Sequence, residues 1–330
     1  MSAELQRICI VGAGRMGEGI ALAFMFAGLP VTLIDIKQRD GAAQARYFRQ
    51  VEDHLRGELA TLVRLGSLDA AQAEQAMSHV HLSDREGSGE YLQDATVVFE
   101  AVPEVLDLKV QTFAWLSTAC SAETVIASTT STFLVTQLAA LVTHPQRFVN
   151  AHWLNPAFLM PLVEVSRSDT TCPQVMQRLM ALLKRIGKVP VQCSPAAGYI
   201  VPRIQALAMN EAARMVEEGV ASAEDIDTAI RVGFGLRFSV LGMLEFIDWG
   251  GGDILFYASH YLAEAIDPRF LPPKVIAENM AQGRNGLREG QGFYDYQDVD
   301  LEAYKLQRLG EFTRKLELMG LSPVFNGGVV

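Results

Sequence analysis

"RICIVGAGRMGEGIA", residues 7–21, runs from apolar residues into a G-x-G-x-x-G spacing at Gly12, Gly14 and Gly17. The apolar run reads as a short buried strand, and "MGEGIALAFMFAG" beyond it has the spacing of a helix. In such a strand–turn–helix, the first glycine permits a tight turn and the second lets a pyrophosphate approach the backbone. The third lets the helix pack closely on the strand. Arg15 and Met16 belong to the same loop and join the candidate dinucleotide contacts. The next apolar run, "VTLID", ends in Asp35, 18 residues past Gly17, where a carboxylate accepts from adenosine ribose hydroxyls. That carboxylate would repel a 2′-phosphate, which favours NAD over NADP, although Lys37 and Arg39 follow closely.

Farther along the chain, "TVVFEAV", "TVIAST", "RFVNAHWL" and "LVEVS" read as strands alternating with amphipathic stretches, the rhythm of βαβ units. From Arg39 to about Ser83 a long charged stretch has helical spacing with a break at Gly66, and predicts a helical pair beside the sheet. After "VQCSPAAGYIVPR" the pattern becomes helical throughout. "IQALAMNEAARMVEEGVASAEDIDTAIRVGFG" predicts two helices joined at Gly219, the second capped by Ser222. The expected fold is therefore α/β: a Rossmann-type doubly wound parallel sheet in residues 1–192, followed by an all-helical domain in 193–330 for substrate and dimerisation.

Composition narrows the function classes. The 330 residues are 49% apolar, enough for two buried cores, and 28 basic against 38 acidic side chains give a net charge of −10. Such a surface disfavours broad contact with nucleic acid or anionic membrane, so a bound phosphate must be captured locally. The start "MSAELQR" lacks a basic, apolar leader, and no apolar run approaches the roughly 18 residues needed to cross a bilayer. A soluble cytoplasmic protein is expected. Cys9, Cys120, Cys172 and Cys193 are scattered, with no CxxC pair, and read as reduced thiols. No metal site is expected, since His79 and His81 fall in a polar strand or turn.

Two side chains point to acid–base chemistry. His152 ends the apolar run "RFVNAHW", and Glu164 interrupts the otherwise apolar "PLVEV". A carboxylate at a core position needs a partner. An imidazole is the natural one, its tautomer fixed and its cationic form stabilised as a general base requires. Ser131, after the run "TVIAST", lies where open α/β sheets collect ligands, and its hydroxyl could hold a substrate oxygen or simply make a turn.

These residues together resemble the L-3-hydroxyacyl-CoA dehydrogenases, including 3-hydroxybutyryl-CoA dehydrogenase. The resemblance spans about residues 7–300 and is carried by "VGAGRMGEGIA", "EAVPEVLDLK", "ASTTS", "HWLNP" with "LVEV", "GYIVPR", "EDIDTAIRVGFG" and "GRNGLREGQGFYDY". It implies fatty acid metabolism and a reaction in which His152 removes the hydroxyl proton while hydride passes to NAD. Glu164 would orient His152 and Ser131 would hold the reacting oxygen. Glu104 and Lys109 fall where the family contacts the cofactor, and Asn155 where it flanks the nicotinamide. A homodimer through the helical domain is implied as well, consistent with the apolar surface of "MLEFIDWGGGDILFYASHYLAEAI", which otherwise must pack on the chain's own first domain.

Three departures bear on the substrate. The family's asparagine for the substrate carbonyl is replaced by Pro202, which fits the first turn of a helix but carries no side-chain donor. Asn210 lies two turns on, about 12 Å along a helix. Thr129 also stands where the family has asparagine. Arg237 in "GFGLRFSVLGMLEF" resembles the lambda-crystallin/L-gulonate and carnitine dehydrogenase branch, where guanidinium suits a small carboxylate; alternatively it is a solvated surface arginine. Arginines 39, 46, 49, 56 and 64 stand in a helical region with no lysine between Lys37 and Lys109. The expectation is oxidation of a 3-hydroxyacyl-CoA, with a free hydroxy acid held by Arg237 as the alternative. A non-enzymatic, crystallin-like protein would have no need of Ser131, His152 and Glu164.

Overall fold

The computed structural model describes residues 7–323; the opening "MSAELQ", part of the stretch read for a leader, lies outside them. The chain divides into two compact units between Ala208 and Met209. The first is built on eight strands: β1 (Ile8–Val11), β2 (Val31–Asp35), β3 (Val80–Asp84), β4 (Val97–Glu100), β5 (Val125–Ser128), β6 (Phe148–Trp153), β7 (Leu162–Arg167) and β8 (Val189–Cys193). Their order in the sheet is β3-β2-β1-β4-β5-β6-β7-β8. Every pair is parallel except β6–β7. Continuous apolar runs make the central strands because both sheet faces are covered by helices. Phe99 of β4 is enclosed between Phe24 and Trp153, with ring centroids 5.6 and 5.7 Å away.

The helices that position the site are α1 (Arg15–Phe26), α2 (Gly41–Arg64), α3 (Ala70–Met77), α4 (Gly89–Gln93), α5 (Leu106–Ala119), α6 (Val135–Ala139), α7 (Pro173–Arg185) and α8 (Val201–Glu217). The helical pair α2–α3 breaks around Gly66, whose φ of +72° is a conformation glycine adopts readily. The helical stretch expected to reach Ser83 instead ends at Met77 and gives way to β3. That strand is at the sheet edge, and only Ser83 of its five residues is buried, so no apolar run announces it. The other edge strand, β8, was also not expected; it contains Pro190, which edge positions tolerate.

Lys188, next to β8, is buried and donates through Nζ to the carbonyls of Ala157, Phe158 and Met160 at 2.8, 3.1 and 2.9 Å. It pins the loop between β6 and β7 that carries Asn155. Burial lowers its ammonium to about 8 from the ordinary lysine value.

The second unit is helical: α9 (Ala223–Ala229), a π-helical turn (Ile230–Gly235), α10 (Leu236–Phe238), α11 (Met243–Gly250), α12 (Gly252–Ala265), α13 (Lys274–Ala281) and α14 (Leu301–Leu318). Ser222 caps α9 by accepting from Asp225 N at 3.1 Å. The run "MLEFIDWGGGDILFYASHYLAEAI" is two helices rather than one, because Gly251 at φ +109° interrupts it. The motif "GRNGLREGQGFYDY" is explained by packing. Asp248 is buried and accepts from Phe293 N and Tyr294 N, both at 2.9 Å. A Cβ on Gly292 would lie 2.1 Å from its Oδ1. Among the described residues no helix is long and apolar enough to cross a membrane.

Candidate active site

The parallel strands β1, β4, β5 and β6 all end at one edge of the sheet, where loops in open α/β sheets form ligand crevices. A cleft of about 830 Å³ opens there. It is lined by Gly12, Gly14, Arg15, Met16, Asp35 and Glu104, together with Thr129, Ser131, His152, Asn155 and Pro202. The three glycines have separate reasons. Gly12, at φ +114°, would place a Cβ 2.6 Å from Ala101 O, and Gly17 would place one 1.9 Å from Gly12 O. Gly14 meets nothing within 4 Å, so the protein itself does not forbid a side chain there; the open space is on the cleft side.

Asp35 is buried at the end of β2. Its Oδ1 accepts from Lys37 N at 3.1 Å, and its Oδ2 from Arg39 Nε at 2.8 Å and Gln44 Nε2 at 3.2 Å. A carboxylate has about four acceptor sites, so one remains, on Oδ1. Arg39 is held between Asp35 and the Tyr47 ring, 4.0 Å from its centroid, which occupies the cation nearest the Asp35 carboxylate.

The antiparallel pairing of β6 with β7 sets His152 directly opposite Glu164, and opposed residues on one face of such a pair are in contact. Nδ1 of His152 lies 2.9 Å from Glu164 Oε2. Because the carboxylate can only accept, the proton belongs on Nδ1, and Nε2 is left for a ligand. The other oxygen of Glu164 accepts from Ile200 N and Val201 N, at 2.9 and 2.8 Å. Glu164 is fully buried and His152 nearly so. One residue that sequence reasoning did not single out completes this arrangement. Tyr199 stacks on the imidazole, centroids 4.8 Å apart and planes 11° apart. Its hydroxyl donates to Thr130 O at 2.8 Å and accepts from Asn150 Nδ2 at 3.1 Å. It is the single non-glycine residue at positive φ among the described residues, and burial raises its phenol above the ordinary range. The only signal in the sequence was an aromatic after Gly198; its partners are 47 to 69 residues away.

Ser131 is held by Glu104, whose Oε1 accepts from its hydroxyl at 3.2 Å and from its backbone N–H, while Oε2 accepts from Thr130 Oγ1 at 2.9 Å. Lys109 does not line the cleft, contrary to the expectation that it meets the cofactor. It is 1% exposed and paired with fully buried Glu100 at 2.9 and 3.0 Å, and its Nζ is 3.6 Å from Glu104. It lies beneath the wall because α5 packs its face with Lys109, Thr112, Phe113 and Leu116 into the core. Arg237 is in the second unit, exposed, with its guanidinium 4.8 Å over Phe246.

A glycine loop, a buried carboxylate at the end of β2 and a His–Glu dyad stand together at one sheet edge. Residues 7–196 match the family model for the NAD binding domain of 3-hydroxyacyl-CoA dehydrogenase, and residues 198–296 match its C-terminal domain. The chain belongs to the 3-hydroxyacyl-CoA dehydrogenase family. It is 33% identical over 299 residues to the 3-hydroxyadipyl-CoA dehydrogenase of Escherichia coli, covering 90% of this chain but 60% of that one. It is 30% identical to a probable 3-hydroxybutyryl-CoA dehydrogenase of Bacillus subtilis, covering 89% and 99%. A solved 3-hydroxyacyl-CoA dehydrogenase from Archaeoglobus fulgidus superposes with a TM-score of 0.75 at 28% identity, over 96% of this chain and 100% of that chain.

The protein is accordingly an NAD-dependent oxidoreductase of this family. The open side of Gly14 and the remaining acceptor site on Asp35 fit a dinucleotide in the cleft. A preference for NAD over NADP is expected, and Asp35→Ala should weaken NAD roughly tenfold or more, the scale of a lost bond to a charged group. The same change releases Arg39 and should narrow the NAD/NADP ratio. Titration calorimetry on both proteins checks this; equal or tighter NADP binding by the wild type would contradict it.

Proposed function

We propose that this protein oxidises the 3-hydroxyl of a 3-hydroxyacyl-CoA, such as 3-hydroxybutyryl-CoA, to the 3-keto thioester. The observation that carries the reading is His152 held through Nδ1 by buried Glu164, with Nε2 left for a ligand in the cleft that Ser131 also lines. Nε2 accepts the hydroxyl proton, and Glu164 stabilises the imidazolium that results. Ser131 stays anchored to Glu104 through its backbone N–H, and its single hydroxyl proton turns from that carboxylate to donate to the reacting oxygen. NAD, when bound, supplies the hydride acceptor.

The thioester is favoured over a free acid because Glu104 sits against Ser131. A carboxylate brought to that wall meets a like charge. The alternative, a small hydroxy acid, is favoured by one observation: Arg237 has no carboxylate partner among the described residues. Initial rates of NAD reduction with 3-hydroxybutyryl-CoA, 3-hydroxybutyrate, carnitine and gulonate separate the two. The thioester is expected to be the best substrate, and robust oxidation of a free acid with none of the thioester would reverse the assignment.

A homodimer through the second unit is part of the same proposal. Ile254, Tyr257 and Tyr261 of α12 are each at least 60% exposed, more apolar surface than one helix usually leaves in water. Light scattering at micromolar concentration should give twice the chain's mass; a mass near 36 kDa would reject the dimer.

A further inference from the structure

Helix α8 contributes Pro202 and Gln205 to the lining of the cleft. The backbone donors at its start are all engaged. Ile200 N and Val201 N go to Glu164 Oε1, Arg203 N goes to Gly198 O at 3.0 Å, and Ile204 N to Ile200 O at 3.2 Å. Pro202 has no N–H. The start of the helix is therefore already taken by the Glu164 carboxylate and has no free donor in its first turn for an anionic group of the substrate. Gln205, three residues after Pro202, projects on the same side of the helix. Its amide is exposed and makes no hydrogen bond with any described residue.

Asp35, Tyr47, Glu104, Ser131 and His152 are engaged among the other polar side chains of the cleft, whereas Arg15, Lys37, Thr129 and Asn155, which follow β1, β2, β5 and β6, are not engaged with any described residue. The Tyr47 hydroxyl is bound to Ala13 O, Ser131 to Glu104, and Nδ1 of His152 to Glu164. On the α8 side the Gln205 amide is the free group, with two N–H donors and an acceptor. We infer that Gln205 is a substrate-binding residue whose amide donates to the acyl carbonyl oxygen of the substrate, while Nε2 of His152 and Ser131 engage the carbinol oxygen. A neutral donor matches a neutral carbonyl, in keeping with the like charge that Glu104 presents to a carboxylate. The inference rests on the thioester reading above and adds the residue that recognises the second oxygen.

Gln205→Leu removes the amide at similar size and, since the native side chain bonds to nothing, leaves the fold intact. KM for 3-hydroxybutyryl-CoA should rise roughly five- to tenfold, the effect of one neutral hydrogen bond. The NAD dissociation constant and Tm should stay unchanged. Gln205→Glu, which keeps the shape but offers only acceptors, should raise KM at least as much. Wild-type turnover of the thioester with an unchanged KM in both variants overturns the inference alone. Failure of the wild type to oxidise any 3-hydroxyacyl thioester overturns the thioester reading and the inference with it.

Discussion

Replacing His152 by alanine is expected to lower kcat by about 10²-fold or more, the contribution of a positioned general base. The reason is local: Nδ1 is bound to Glu164 at 2.9 Å, so Nε2 is the ring atom available to take a proton. Glu164→Gln should cause a comparable loss, because an amide N–H facing Nδ1 shifts the ring proton to Nε2 and removes the acceptor. In the His152→Ala background the same change should cost little more, as members of one catalytic unit are not additive. Steady-state rates across pH check this. Activity that survives His152→Ala with its pH profile intact would remove His152 from the mechanism.

The second large effect is on stability. Lys109 and Glu100 form an ion pair with 1% and 0% side-chain exposure, and Glu100 also accepts from Val102 N at 2.9 Å. Lys109→Met leaves that carboxylate buried without its cation, which typically costs about 3–5 kcal/mol. The pair also sits 3.6 Å from Glu104, the anchor of Ser131, so catalysis should suffer as well. Urea unfolding of the variant should show the loss, and Glu100→Gln on top of it should recover part. Unchanged stability with weakened NAD binding would instead return Lys109 to the direct cofactor role that family resemblance suggested.

Much of this was readable from sequence where the physics is local. The glycine loop announces itself because Gly12 and Gly17 meet backbone at 2.6 and 1.9 Å, and short-range turn geometry leaves few other residues there. The His152–Glu164 dyad was legible because a carboxylate in the middle of an apolar strand must be paired, and the register of β6 with β7 supplies the pairing. Edge strands were not, since β3 has a mostly uncovered face and β8 carries Pro190. Lys109 shows a different limit: resemblance fixes a position along the chain but not its depth, and the apolar run that holds Glu100 demands a partner on the same ground as Glu164 without saying which residue supplies it. Tyr199 and Gln205 depend on where α8 meets the sheet edge, a tertiary fact with no periodic trace.

The most direct test of the account uses 3-hydroxybutyryl-CoA carrying deuterium at C3, with the NADH formed analysed by mass spectrometry. Oxidation at the carbinol carbon with His152 as base transfers that deuterium, so labelled NADH is the expected result. Unlabelled NADH, or no NADH at all, would contradict it.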